Sequence, residues 1–195
     1  KAIEINPKDA DAYFNRGIAK DDLEDYEGAI SDYDKAIELN PKDANAYMNR
    51  GITKRSLEDY AGAIADYRKS LEINPRNADA YYNRGLAKIY LKDYAGVIAD
   101  SSKALEINPK YAKAYINRGI AKYNLKDSSG AISDFDKAIE LNPKLVEAYN
   151  NRGLAKIDLE DYARACKDLK KAISLGSKST EEWLESDNGA WCRDM

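Results

Sequence analysis

Asn-Arg-Gly recurs five times, at residues 15–17, 49–51, 83–85, 117–119 and 151–153, always 34 residues apart. Asn-Pro keeps the same interval at 6–7, 40–41, 74–75, 108–109 and 142–143. A fixed period of this size signals units that bury their apolar faces only against their neighbours, which predicts a solenoid. Such an array is mostly surface, and a content of 33% charged residues suits it. The architecture therefore offers a surface for holding other molecules.

One unit, residues 10–43, shows how the array is built. Ala12, Tyr13, Gly17 and Leu23 follow helical spacing, as do Ala29, Ile30, Tyr33, Ala36 and Ile37. Glu24, Asp25 and Tyr26 make the turn between them. Asn40-Pro41 ends the second helix, because proline lacks an N–H and disfavours the α region in the residue before it. Asp9, Asp43 and Asn77 are placed to cap the first helices. Gly17, Gly51, Gly85, Gly119 and Gly153 fall inside those helices, where each glycine costs roughly 1 kcal/mol against alanine. A close approach of the second helix is the expected compensation.

At these residues the chain resembles the tetratricopeptide repeat family. The family places an aromatic residue, Gly, a small residue, an aromatic residue, Ala and Pro at the spacing of Tyr13, Gly17, Ala29, Tyr33, Ala36 and Pro41. Five repeats match, at 10–43, 44–77, 78–111, 112–145 and 146–179, and residues 1–9 read as the end of a truncated unit. The resemblance implies an all-α right-handed superhelix whose first helices line a concave groove. Gly176-Ser177 replaces Asn-Pro in the last repeat, and residues 180–195 are expected to form a capping helix and tail, with Ser179 and Glu182 as a capping box. The tail from Asp187 either folds back through Trp191 or stays loose.

Where family members carry Leu and Tyr, this chain has Arg16 and Lys20, Arg50 and Lys54, Arg84 and Lys88, Arg118 and Lys122, Arg152 and Lys156. Two cations four residues apart on a helix repel each other, so anions must lie close by. Asp32, Asp66, Asp100, Asp134 and Asp168 follow each Arg at a constant offset. A ladder of structural ion pairs is therefore expected in preference to a phosphate- or acid-binding stripe.

The opposite side of each first helix is the ligand-binding side in the family. Asn15, Asn49, Asn83, Asn117 and Asn151 form one constant column there. An amide both donates and accepts, so a row of them suits the backbone of an extended peptide. The competing reading is that each Asn braces an adjacent helix. Neighbouring columns vary and carry the expected specificity: Phe14, Met48, Tyr82, Ile116 and Asn150 in one, Arg55, Ile89 and Tyr123 in another, with Tyr90 beside them. Asp11, Asp21 and Asp22 make the first unit acidic, so the expected ligand has an apolar centre and a basic end. Tyr111 and Leu145 replace caps and are candidates either for the groove or for packing between units. The carboxylate-clamp subgroup needs Lys at Phe14 and Asn at Ile18, so that function is not expected.

Composition and motif content exclude several classes of function. A formal charge of −3 argues against nucleic acid as the main partner. No run is apolar and long enough to span a bilayer. No His occurs, and there is no phosphate loop, nucleophile motif or metal-ligand spacing, so neither catalysis, cofactor nor metal is expected. Cys166 stands where other repeats have Ile30, Ile64, Ile98 and Ile132, and reads as a small buried hydrophobe rather than a reactive thiol. The chain opens at Lys1 inside a helical pattern, so an upstream segment, with any anchor or targeting signal, is expected to be missing. The compartment is left open, with the cytoplasm favoured. The functional expectation is a protein- or peptide-binding module, with a scaffold that self-associates through the truncated N-terminal edge as the alternative.

Overall fold

The computed structural model describes residues 2–186 and 189–193, and among them it contains thirteen α-helices and no strand. The chain divides into two compact units, residues 1–93 and 94–195. The first holds α1 (Ala2–Ile5), α2 (Ala10–Asp22), α3 (Tyr26–Leu39), α4 (Ala44–Ser56), α5 (Tyr60–Ile73) and α6 (Ala78–Tyr90). The second holds α7 (Tyr94–Ile107), α8 (Ala112–Asn124), α9 (Ser128–Leu141), α10 (Val146–Asp158), α11 (Tyr162–Ser174), α12 (Lys178–Glu185) and α13 (Ala190–Arg193).

Helix ends follow from local chemistry. The Asp9 and Asn77 side chains accept from the Ala12 and Ala80 N–H groups at 3.1 Å, and Asp43 accepts from Asn45 at 2.9 Å. Tyr111 and Leu145 head α8 and α10 without a side-chain cap, and Leu145 packs on the core of the second unit. The turn inside each repeat adds a feature that the residue types hide. Glu24, Glu58, Lys92, Lys126 and Glu160 all have left-handed backbones, with φ between 58° and 67°. An L-residue there costs roughly 1–2 kcal/mol, so glycine is the usual choice. The compensation is a closed hydrogen-bond pattern: Glu24 N–H donates to the Asp21 carbonyl and Asp25 N–H to the Lys20 carbonyl, each at 2.9 Å. Asp25 then caps α3 by accepting from Gly28 N–H at 3.1 Å, so three residues finish one helix and start the next.

The helices of a repeat touch at the glycine column. A Cβ added at Gly17, Gly51 or Gly119 would lie 2.7, 2.8 or 2.6 Å from the ring of Tyr33, Tyr67 or Phe135. Those rings are at most 1% exposed, and Ala29, Ala63 and Ala131 beside them are fully buried.

The C-terminal end departs from expectation twice. Helix α12 starts at Lys178 after Ser177, so Ser179 lies inside it and no capping box with Glu182 forms. The reason is Gly176, whose φ of 100° closes α11 through bonds from Gly176 N–H to the Ile173 carbonyl and from Ser177 N–H to the Ala172 carbonyl. Cys166 is buried as expected but is joined to Cys192 in a disulfide. Trp191 folds back edge-on against Tyr162, with ring centres 5.3 Å apart. Residues 187, 188, 194 and 195 of the expected tail lie outside the described residues.

Candidate functional site

In the four repeats that lie within one unit, the first helix is engaged on at least two sides. One meets the second helix at the glycine. Another carries the cations. Arg16 donates two parallel hydrogen bonds to Asp32, at 2.7 and 2.5 Å, and Lys20 adds a third contact at 2.9 Å. Arg50 and Lys54 hold Asp66 in the same way, Arg118 and Lys122 hold Asp134, and Arg152 and Lys156 hold Asp168. These aspartates are 3–4% exposed. Arg84 and Asp100 belong to different units; Asp100 is equally buried, and Arg84 lies 5.4 Å over the Tyr81 ring.

Pairs from one repeat to the next are expected from the sequence, but not their acceptors at Asp34, Ser102 and Asp136, nor the stacking on tyrosine. Arg50, Arg118 and Arg152 each reach back with Nη1 to the preceding repeat, at Asp34, Ser102 and Asp136. Each Arg also lies over the tyrosine three residues earlier, Tyr47 at 5.5 Å for Arg50 and Tyr115 at 5.4 Å for Arg118. The signal for both was present, as a constant spacing of 16 and of three residues.

The Asp32 pair makes stability depend on pH. Burial alone would raise the Asp32 carboxyl, but hydrogen bonds from Arg16 and Lys20 outweigh it and hold the group below its ordinary value of 3.8. The hydrogen bond with Asp32 in turn raises Arg16. Near that ordinary value the folded chain binds fewer protons at Asp32 than the unfolded chain, so the pair stabilises above it. That stability is lost as pH falls through the lower, folded value. The expected result is a melting temperature that is steady from neutral pH to about pH 5 and falls below about pH 4. A calorimetric midpoint unchanged between about pH 7 and about pH 2 would show that the Asp32 pair adds no stability.

In the first unit a third side closes between repeats, where Thr53 on α4 donates to the Asp21 carboxylate of α2 at 2.6 Å. Helix α4 packs against both α2 and α6. The next side carries Asn15 with Phe14, Asn49 with Met48, and Asn83 with Tyr82. Asn15 is exposed and the other five are half-buried. Phe14 meets Tyr33 with ring centres 6.0 Å apart, and Met48 packs on the core of Ala63, Tyr67 and Ala87. The Met48 thioether accepts from Asn77 Nδ2 at 3.5 Å, and Asn83 Nδ2 donates to the Asp79 carbonyl at 2.9 Å. Asn151 does the same with Glu147, so these two amides turn back on their own helix rather than brace a neighbour.

Other candidates sit differently. Ile116 is 2% exposed in the core of the second unit, packed with Ala131, Phe135 and Ala148, and so is closed to a ligand. Asn117 is 4% exposed and its Nδ2 is buried without a hydrogen-bond partner. Arg55 points towards Tyr67, whose hydroxyl is pushed up to about 12 by burial despite that cation. Ile89 is half-buried. Tyr90 lies by the turn, stacked on Tyr60 with ring centres 4.5 Å apart. The Tyr123 hydroxyl donates to Asp158 across repeats at 3.4 Å.

The second unit adds a cleft of about 240 Å³ lined by Asn150, Leu154, Leu169, Ser179, Thr180 and Trp183. Thr180 donates to Asn150 Oδ1 at 2.6 Å, and Asn150 Nδ2 donates to Ser177 at 3.1 Å, which fixes the amide. Among the described residues no group of His, Cys, Asp and Glu could hold a metal ion, and no helix is long and apolar enough to cross a membrane.

Family models described as TPR repeat or tetratricopeptide repeat match residues 10–43, 32–65, 53–92, 78–111, 112–145 and 135–167. No curated protein matches the chain. Among solved structures, that of YrrB, a TPR protein with an unusual peptide-binding site, is 26% identical with a TM-score of 0.79, covering 100% of this chain and 97% of that one. A crystal structure of MamA is also 26% identical at a TM-score of 0.79, covering 88% and 94%. PilF of Pseudomonas aeruginosa, 20% identical at a TM-score of 0.75 and covering 94% and 88%, is alike in fold alone.

Proposed function

Because the chain belongs to the tetratricopeptide repeat family, we propose that it is a non-catalytic protein-interaction module holding a peptide segment along the side of its first helices that carries the asparagine column. One observation carries this reading. In the first unit α2 and α4 each meet a second helix and hold an ion pair, and α4 packs against both α2 and α6. Along one side of the first helices an apolar side chain adjoins an amide three times, as Phe14 with Asn15, Met48 with Asn49 and Tyr82 with Asn83, and all but the exposed Asn15 are half-buried. Apolar groups supply affinity, and amides accept and donate to a peptide backbone. The likeness to YrrB, described as having a peptide-binding site, supports the same reading. Asp11 and Asp22 are exposed at the α2 end, so the bound segment should carry its cations there.

The test is a peptide selected from a displayed library on the intact chain, then titrated against Tyr82→Ala with Asn83→Ala. Loss of an aromatic anchor and its amide is expected to weaken binding about 30-fold, with the melting temperature of the chain nearly unchanged. Equal affinity of the two proteins would overturn the proposal.

End-to-end self-association is the second reading. The N-terminal edge favours it, since Ile5 of α1 is 85% exposed. The last repeat opposes it at the other edge. Helices α12 and α13 already cover α11 there, where an inner repeat would receive its neighbour.

A further inference from the structure

We propose that Cys166 and Cys192 form a thiol–disulfide switch that opens and closes the C-terminal cap. The inference rests on the geometry of the cap, not on the peptide-binding reading. In the other repeats the position of Cys166 holds Ile30, Ile64, Ile98 and Ile132, which rely on packing alone. At the end of the array the packing partner is reduced. Helix α12 has eight residues where the first helices have 13, and the four-residue α13 covers what it leaves open. A helix of one turn has no stability of its own. Its non-covalent hold is a single apolar cluster, in which Leu169, Leu184, Trp183 and Trp191 surround the two cysteines, with Trp191 edge-on to Tyr162. The disulfide joins α11 to α13 across 26 residues, with Cα atoms 5.4 Å apart, and encloses the whole of α12 in its loop. It therefore tethers both short helices, including Trp183 and Thr180 on the wall of the cleft.

The chemistry is ordinary exchange. The thiolate of one cysteine attacks a donor disulfide, such as oxidised glutathione or an oxidoreductase, and releases one donor thiol. The thiolate of the other cysteine then displaces the second, so two electrons and two protons pass to the donor. Cys166 is 2% and Cys192 0% exposed in the closed state, so the donor, or a reductant, reaches them only after α13 lifts away. An oxidising environment thus holds the cap shut, and a reducing one leaves it to open.

The chain provides its own reporter, because both of its tryptophans, Trp183 and Trp191, lie in the cap. Dithiothreitol should shift tryptophan emission to longer wavelength and lower the tryptophan-detected melting temperature by roughly 5–10 °C. The far-ultraviolet circular dichroism of the repeats should hardly change. Cys166→Ile, which restores the residue of the other repeats, should show the same emission with and without reductant. Maleimide should label the native oxidised protein at neither cysteine and the reduced protein at both. Labelling of both cysteines before reduction, or identical emission and melting in the two redox states, would overturn the switch.

Discussion

Replacing Gly51 with valine will destabilise the first unit by about 3 kcal/mol, the upper part of the range for overpacking a closed core. Two effects oppose each other. Glycine inside a helix costs roughly 1 kcal/mol, and valine recovers only part of that because its branched Cβ restricts rotation against the preceding turn. Against this, a Cβ at Gly51 would stand 2.8 Å from Tyr67 Cε1 and 3.2 Å from the Ala63 carbonyl. Tyr67 is fully buried, so the ring has nowhere to move, and a carbonyl in α5 cannot retreat without bending the helix. The clash decides the sign. The same reasoning ranks the alanine variants. Gly119 faces Phe135 at 2.6 Å, Gly51 faces Tyr67, and Gly153 faces Leu169 at 2.9 Å, with the Ala165 carbonyl farther away at 3.4 Å. A leucine can turn about its side-chain torsions where a ring can only translate. Gly119→Ala should therefore cost most and Gly153→Ala least, as measured by urea midpoints. A series in which Gly153→Ala is the most damaging would contradict this account of the glycine column.

These positions could be read in advance because each of them recurs. Gly51, its partner ring and the Arg–Asp offset occupy equivalent surroundings in repeat after repeat, so one unit explains the rest. Legibility ends wherever surroundings are set by something that does not recur. Met48, Tyr82 and Ile116 share a register position, yet Ile116 is buried while Met48 is half-buried against the core of Ala63, Tyr67 and Ala87, because burial depends on how the surrounding repeats cover each one. Arg55 was grouped with an inner face by helical spacing, while its long side chain reaches towards Tyr67. The left-handed residues Glu24, Glu58 and Glu160 are not glycines, so their conformation is visible only through the hydrogen bonds around them. The capping box failed because Gly176 ended α11 early. The disulfide partner of Cys166 lies beyond the last repeat, where there is no period to read.

Asp66→Ala will cost about 3–4 kcal/mol, since removing one member of a buried ion pair leaves its partners without compensation. The carboxylate side chain is 5% exposed and receives Arg50 at 2.9 and 2.5 Å and Lys54 at 2.8 Å. Without it, two cations spaced four residues apart on α4 face the same closed space. Asp34 is the internal control. It meets the same Arg50 at 2.5 Å, but its side chain is 56% exposed, so Asp34→Ala should cost no more than about 1 kcal/mol. Distance is equal in the two pairs; desolvation separates them. A third variant tests what the ladder is for. Replacing Arg50, Lys54 and Asp66 together by Leu, Met and Leu removes every charge at once and should be close to neutral in stability, because well-packed hydrophobes replace buried ion pairs at little net loss. The triple variant loses something else. Arg50 links Asp66 of its own repeat to Asp34 of the one before, so the pair transmits register between neighbours in an array held only by nearest-neighbour contacts. Unfolding of the triple variant should therefore become broader and less cooperative at an unchanged midpoint. If Asp66→Ala instead melts like the parent chain, the carboxylate is not the keystone of the column, and register must come from the glycine contacts alone.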